Sequence, residues 1–326
     1  MANTARNIDI VTVGEVLIDL TQTGVDERGV RTLAANPGGA PANVAVAASR
    51  LGTKTAFVGC IGTDAFGDSL RETLEKDGVD TTGLIAHETI PTTLAVVTVN
   101  PDGERSFTFY RRPGADICLE RSAIPESLIA DAPILHFGSV SLTDDPARTA
   151  TLEAAKDAKA AGAIITYDPN YRPALWMSEE DAIRWMRAPL DMVDVLKISD
   201  EETALLSGYE APDAAAEELT DQGIRLVLVT LGPDGVYYRY QPEDGEALTG
   251  TVPGFQVTVA DTNGAGDTFF GAFLSKLSQR ENGLDDFEAD ELEADLTFAN
   301  RAASLTTSKP GAIPAMPTLE EVEAAL

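Results

Sequence analysis

The chain has 326 residues, 44% hydrophobic and 6% aromatic, which is enough for one large α/β domain and too apolar for a disordered tail. Lys and Arg total 24 against 53 Asp and Glu, a net charge of -29, so nucleic acid and anionic membrane surfaces would repel it and a basic-patch binder is excluded. Only 7 of the 24 cations are Lys, and this depletion of the more strongly hydrated cation beside surplus carboxylates fits a halophilic, salt-rich cytoplasm, with an ordinary acidic enzyme as the alternative.

Residues 1–7, MANTARN, show no basic segment leading into a long apolar one, and no apolar run approaches the ~20 residues of a membrane span, so a chain neither exported nor anchored is expected. Residues 8–13 alternate and end at Gly14, residues 42–51 are helix-forming and residues 55–59 are strand-like, a βαβ rhythm. That rhythm returns at 134–137, 163–167, 193–198 and 226–230, each followed by turn residues and a helical stretch such as 149–161. The predicted fold is α/β, a doubly wound and mostly parallel sheet flanked by helices, with residues 1–326 as a single domain.

Two stretches break the rhythm. Residues 17–36 and 92–119 are rich in Thr, Val and Phe, and the second contains the turn Asn100-Pro101-Asp102-Gly103, so both are predicted as hairpins of a small antiparallel β lid. Ligands bind beyond the carboxyl ends of parallel strands, where such inserts would cover the site. Their alternation leaves an apolar face that a small lid cannot cover, so a homodimer pairing lid against lid is expected. Residues 281–295 hold eight carboxylates among fifteen and read as a solvated helix and loop. Cys60 and Cys118 stand in no metal-ligand spacing and read as reduced thiols, which points to the cytoplasm. His87 and His136 lack a partner pattern and read as structural.

The strongest chemical signal is Asp261-Thr262-Asn263-Gly264-Ala265-Gly266-Asp267-Thr268-Phe269-Phe270-Gly271, placed after a strand-like stretch at 255–259 and opening an apolar helix through Leu277. Gly264, Ala265 and Gly266 leave their amides unobstructed at a helix N-terminus, where unpaired N–H groups and the macrodipole favour a phosphate or a developing phosphoryl charge. Asp267, in the first turn beside that anion, would be repelled by it unless it had a task, and accepting a proton from an attacking hydroxyl is the natural one. A helix-capping Asp behind a tight turn is the alternative. The second signal, Gly38-Gly39-Ala40-Pro41-Ala42-Asn43, is a diglycine opening a helix of small residues. The Asn43 amide both donates and accepts, which suits a polyol. A closely packed Ala-rich helix explains 45–48 but gives no reason for Asn43. No GxxxxGK[ST] P-loop is present, and Gly14-Glu15-Val16-Leu17 stands where a dinucleotide fold would carry GxGxxG, which weighs against a nicotinamide dehydrogenase.

These two segments resemble the signatures of the ribokinase-like (PfkB) family of carbohydrate kinases, a likeness running from Gly14 to about Pro314. Within that family Gly14-Glu15-Val16-Leu17-Ile18-Asp19, Gly38-Gly39-Ala40-Pro41-Ala42-Asn43, Phe109-Tyr110-Arg111-Arg112-Pro113-Gly114-Ala115-Asp116 and Asp168-Pro169-Asn170-Tyr171-Arg172-Pro173 look most like fructokinases. The resemblance implies transfer of the ATP γ-phosphoryl group to the 6-hydroxyl of D-fructose. Asp267 would be the general base, Gly264, Ala265 and Gly266 the anion hole, and Asp19, Gly38, Gly39 and Asn43 the sugar contacts. Arg172 would approach substrate or phosphate. For Asp19 a polar residue ending a strand, and for Arg172 a surface ion pair, are the alternatives.

On the nucleotide side the likeness implies Lys197, Ser199, Glu202, Thr230, Gly232, Gly235 and Asn300. Ser199 replaces the Asn of the family's Asn-x-x-Glu motif, whose Glu, here Glu202, organises water around Mg²⁺. An exposed helix carboxylate, a turn and a helix surface are the respective alternatives for Glu202, for Thr230 to Gly235, and for Asn300. A monovalent cation, K⁺, would lie by Asp261, Asn263 and the loop at Gly311, held largely by backbone carbonyls, Asn263 standing where the family usually has Thr. A 2-keto-3-deoxygluconate or other hexose-derivative kinase is the neighbouring expectation, discriminated by whether Arg111, Arg112 and Arg172 face a sugar carboxylate. A non-catalytic sugar-binding protein on the same scaffold belongs to a different class, and the intact Asp267 and glycine run argue against it.

Overall fold

A computed structural model of the chain describes residues 8–99 and 105–326. In chain order its strands are β1 (Ile10–Val13), β2 (Leu17–Val25), β3 (Arg31–Gly38), β4 (Thr55–Gly62), β5 (Asp80–His87), β6 (Leu94–Val99), β7 (Arg105–Tyr110), β8 (Ile134–Gly138), β9 (Ile164–Asp168), β10 (Val195–Ser199), β11 (Leu226–Thr230), β12 (Val236–Tyr240) and β13 (Leu248–Val252). Nine of them form one sheet in the order β13-β12-β11-β10-β9-β8-β1-β4-β5, parallel from β5 to β11 and closed at one edge by the antiparallel pair β12 and β13. β1, β4 and β8 are buried along their whole length because helices cover both faces, which is why they read as apolar runs.

Alternate residues of one strand feed two different cores. Val11 and Val13 join Leu135, Phe137 and the helix Ala147–Ala160, while Ile10 meets Ile134, Leu228 and Phe270 beneath the helices Ala265–Ser278 and Ala289–Thr307. Each face of the sheet is therefore sealed, and the carboxyl ends of its strands are left as the place for chemistry.

The two interrupting stretches build a separate four-stranded sheet, β3-β2-β6-β7. β2 with β3, and β6 with β7, are antiparallel hairpins, joined through a parallel central pair β2 and β6. The predicted turn at Asn100 to Gly103 lies outside the described residues, as does the segment 1–7. The sheet is buried at its base, at Leu17 and Ile18, and exposed at its tip, where Val25, Val30 and Leu33 are 58%, 54% and 44% accessible. It is tied to the main layer through residues 14–16, Gly39, residues 88–93 and residues 111–114.

Residues 255–259 do not form the expected strand. They belong to no strand or helix, and Phe255, Val257 and Val259 line a cavity instead. β5, β12 and β13 were not anticipated. β5 begins on polar residues and shifts register against β4, and β12 buries alternate side chains on a two-strand edge, so neither shows the continuous apolar run of the inner strands. No helix among the described residues is long and apolar enough to cross a membrane.

Candidate active site

The site forms where two helices meet at the carboxyl ends of the parallel strands. Helix Ala40–Arg50 packs against helix Ala265–Ser278, and a Cβ on Gly271 would stand 2.7 Å from Ala47 Cβ, so the small-residue pattern sets how near the axes come. That approach lets Asn43 Nδ2 donate to Asp267 Oδ2 at 2.7 Å, joining the two sequence signatures across 224 residues. Gly264 precedes the second helix with φ +74, a left-handed conformation that glycine adopts without steric cost. Its side also faces Ala312, which a Cβ would meet at 2.9 Å.

Asp267 is 8% exposed, and burial pushes its carboxyl up to about 6. The Asn43 hydrogen bond and the charges of Lys197 and Arg172 hold it down, while Asp168 raises it. Asp19 lies in the same cavity, and burial lifts it likewise to about 6 against a hydrogen bond from the Asn263 side chain and the charge of Arg172. Gly38 lies beneath that carboxylate, since a Cβ there would come 2.5 Å from Asp19 Oδ2, and Gly39 lines the cavity before Ala40. Arg172 also lines it, its Nη1 donating to the Tyr171 carbonyl at 3.0 Å, and among the described residues it makes no ion pair. The surface-pair alternative for Arg172 is thereby set aside.

Arg111 and Arg112 are engaged elsewhere. Arg111 is 5% exposed, pairs through Nε with Asp116 Oδ2 at 2.6 Å and donates to the Val140 carbonyl at 2.9 Å. Arg112 reaches Asp144 at 3.3 Å with its side chain 58% exposed. Neither is disposed toward a sugar carboxylate.

A second cavity, about 350 Å³, lies on the other side of the Gly264 turn. Thr230, Gly232, Gly235, Ala265, Gly266 and Asn300 all line it, together with Phe255, Val257 and Val259. The stretch misread as a strand is thus an apolar wall suited to a flat heterocycle. Asn300 Nδ2 donates to the carbonyls of Val252 and Pro253, at 3.2 and 3.1 Å, so its side chain fixes the end of β13 as well as facing the cavity.

Lys197, on β10, joins the two halves. Its Nζ bonds Asp168 Oδ2 at 2.8 Å in a pair only 8% and 2% exposed, and it stands 3.0 Å from where a Gly266 Cβ would be. Burial would lower its pKa, but Asp168, Glu202 and Asp267 together raise it. Glu202 is buried, its Oε1 accepting from Tyr171 N at 2.6 Å and Oε2 from both Ser199 N and Ser199 Oγ, at 2.8 and 2.9 Å. Ser199 and Glu202 therefore close a capping box. Oε2 is saturated and Oε1 keeps one lone pair, which leaves room for contact with a metal through water. No group of three His, Cys, Asp or Glu side chains among the described residues is placed to hold a metal directly.

Asp261 binds two loops together, Oδ1 accepting from Asn263 N at 2.8 Å and Oδ2 from Gly311 N at 3.1 Å. The side chain of Asn263 turns to the Asp19 cavity, so only its backbone stays with the 311 loop. Glu15, Asn170 and Asp168 complete the site without having been singled out; the first two line the Asp19 cavity. Their signal was present in the motifs Gly14-Glu15 and Asp168-Pro169-Asn170, but a lone acidic residue after a strand carries no periodicity. Glu15 is 3% exposed, with burial pushing its carboxyl up to about 7, and two buried acceptors in this cavity, Glu15 Oε2 and Asn43 Oδ1, have no partner among the described residues. Leaving such a group unpaired costs ~1–3 kcal/mol.

A model of the pfkB family carbohydrate kinases matches residues 7–319. Fructokinase-2 of Solanum lycopersicum is 43% identical over 315 residues, spanning 96% of this chain and 94% of its own. Among solved structures, a fructokinase from Xylella fastidiosa with bound ATP has a TM-score of 0.89 at 36% identity, with 97% of each chain covered. A double-mutant fructokinase from Vibrio cholerae O395, holding fructose, ADP and potassium ion, has a TM-score of 0.86 at 32% identity over 98% of this chain and 99% of that one. Two signatures that close on one Asp–Asn contact, and likeness along the whole chain, come to the same conclusion: the chain belongs to the pfkB family of carbohydrate kinases.

Proposed function

We propose that the protein is a fructokinase that moves the γ-phosphoryl group of ATP to the 6-hydroxyl of D-fructose. One observation carries this reading: Asp267, held by Asn43, lines the polar cavity, while its neighbours Ala265 and Gly266 line the other cavity across the helix N-terminus. A hydroxyl beside Asp267 gives up its proton to that carboxylate as its oxygen attacks the γ-phosphorus, and ADP leaves. The amides of Gly264 and Gly266 and the Lys197 ammonium face the charge that develops, while the Ala265 N–H, expected to be unobstructed, donates to the Thr262 carbonyl at 3.3 Å and closes the turn. Of the three arginines that discriminate fructose from a 2-keto-3-deoxy sugar acid, Arg111 and Arg112 are bound to Asp116 and Asp144, which favours fructose, while Arg172 lines the polar cavity and keeps the sugar acid as the second reading. The deciding experiment compares kcat/KM for fructose, glucose, ribose and ketodeoxygluconate with ATP and Mg²⁺. Fructose must lead that panel, and a leading sugar acid would reassign the substrate.

Glu202 is the residue that would hold Mg²⁺ through water, and the ion when bound neutralises phosphate charge. Asp261, by drawing the Asn263 and Gly311 loops together, prepares backbone carbonyls for K⁺. Salt should then act twice. Any monovalent salt should raise the melting temperature, because a net charge of -29 repels itself and the Debye length shrinks from ~10 Å at 0.1 M to ~3 Å at 1 M. At equal ionic strength kcat should be higher in KCl than in NaCl or LiCl. Equal kcat in the three salts removes the cation site, and a flat melting temperature removes the halophilic reading.

The exposed Val25, Val30 and Leu33 support a homodimer in which the small sheet, acting as a lid, pairs with its copy. Light scattering should give twice the chain mass; a fully active monomer refutes it. The free thiols Cys60 and Cys118 fit a cytoplasmic location.

A further inference from the structure

We propose that Glu15 determines sugar specificity, its Oε2 accepting a hydrogen bond from one substrate hydroxyl while Oε1 stays bonded to the backbone. The inference rests on the reading of the polar cavity as the sugar site. Glu15 follows β1, is 3% exposed and lines that cavity beside Asn43 and Asp267. Its Oε1 accepts from Ala40 N at 2.9 Å, and its own backbone N–H also favours the charged carboxylate. The other oxygen is buried with no donor among the described residues. Native interiors rarely leave a carboxylate oxygen so, and such a group calls for an explanation in a water, an ion or a functional contact.

Arg111 is the nearby cation, but its Nε and Nη2 are directed to Asp116 and the Val140 carbonyl. The same cavity wall holds a second orphan, Asn43 Oδ1, whose amide nitrogen is already committed to Asp267. Two unpaired acceptors on one wall call for a ligand that brings several O–H donors and no negative charge, which is a polyol. Asn43 adjoins the base. Glu15, on a different chain segment, would read a hydroxyl other than the reacting one.

Glu15→Gln separates this role from support of the turn. The Ala40 N–H still requires an acceptor, so the Gln carbonyl takes the place of Oε1 and its NH₂ stands where Oε2 stood. A residue that only props the turn is rescued by Gln. A residue that accepts from the sugar is not. At pH 8 the variant should show KM for fructose raised about tenfold, with KM for ATP unchanged and kcat falling far less than KM rises. Among 1-, 3- and 4-deoxyfructose, one analogue discriminated against by the parent should lose most of that discrimination in the variant. Parental sugar KM in Glu15→Gln, or identical analogue ratios in both proteins, overturns the assignment. Should the Gln variant not fold, Glu15→Asp, which withdraws the carboxylate by one methylene, must give the same sugar-specific rise. Failure of the parent to use fructose would instead sink the proposed function, and Glu15 would then be judged on the hexose the parent does use.

Discussion

Asp267→Asn is expected to lower turnover by ~10²–10⁴-fold while fructose binding changes far less. The amide fills the same space and can still meet Asn43, so the cavity keeps its shape and loses the group proposed to take the proton. The same residue sets the pH profile. Burial places the Asp267 carboxyl at about 6, so activity should fall below pH 6 as the base becomes protonated, and the fall should be absent from whatever activity the Asn variant retains. Rapid-quench turnover and calorimetric titration of fructose give the two readouts. A variant within threefold of the parent's turnover would dismiss Asp267 as the base.

Lys197→Met should damage both stability and chemistry. It removes one partner of a buried pair and leaves Asp168 without its cation, a loss of ~3–5 kcal/mol for such pairs. It also deletes the positive charge beside Gly266, where phosphoryl charge would develop, so turnover should fall at least ~10²-fold. The sign of a third effect follows from the charges. Lys197 holds the Asp267 pKa down, so without it that pKa rises and the acid limb moves to higher pH. Urea unfolding and a pH series of residual kcat test this, and unaltered stability with an unmoved limb would exclude the clamp.

The parallel layer was legible because helices cover both faces of its strands, so 8–13, 134–137, 193–198 and 226–230 are apolar enough to stand out. The two glycine-opened helices were legible for another reason, since chemistry at a helix N-terminus demands small residues in a fixed order. Residues 255–259 misled because an apolar stretch lining a cavity has the composition of one lining a core. Glu202 and Ser199 were placed at the phosphates, yet their first engagement is with each other and with Tyr171 N, a contact made by folding rather than by spacing. Glu15 stands in the Gly14-Glu15-Val16-Leu17-Ile18-Asp19 segment with nothing in the sequence to set it apart. What marks it is a missing partner, and a sequence cannot show an unfilled valence.

The small sheet hangs from the main layer by four joints, and two of those joints supply walls of the polar cavity. Glu15, in residues 14–16, and Gly39 line it, while Arg111 opens the last joint and is locked to Asp116, which also takes a hydrogen bond from Thr93 in the third. If the sheet moves as a body, it turns about groups that line the polar cavity. Seating the sheet and filling the cavity are then one equilibrium seen from two ends, and by reciprocity whatever sugar contributes to closing is returned as tighter binding in the closed form. Such a device needs no separate trigger, because the hinge is itself the sensor.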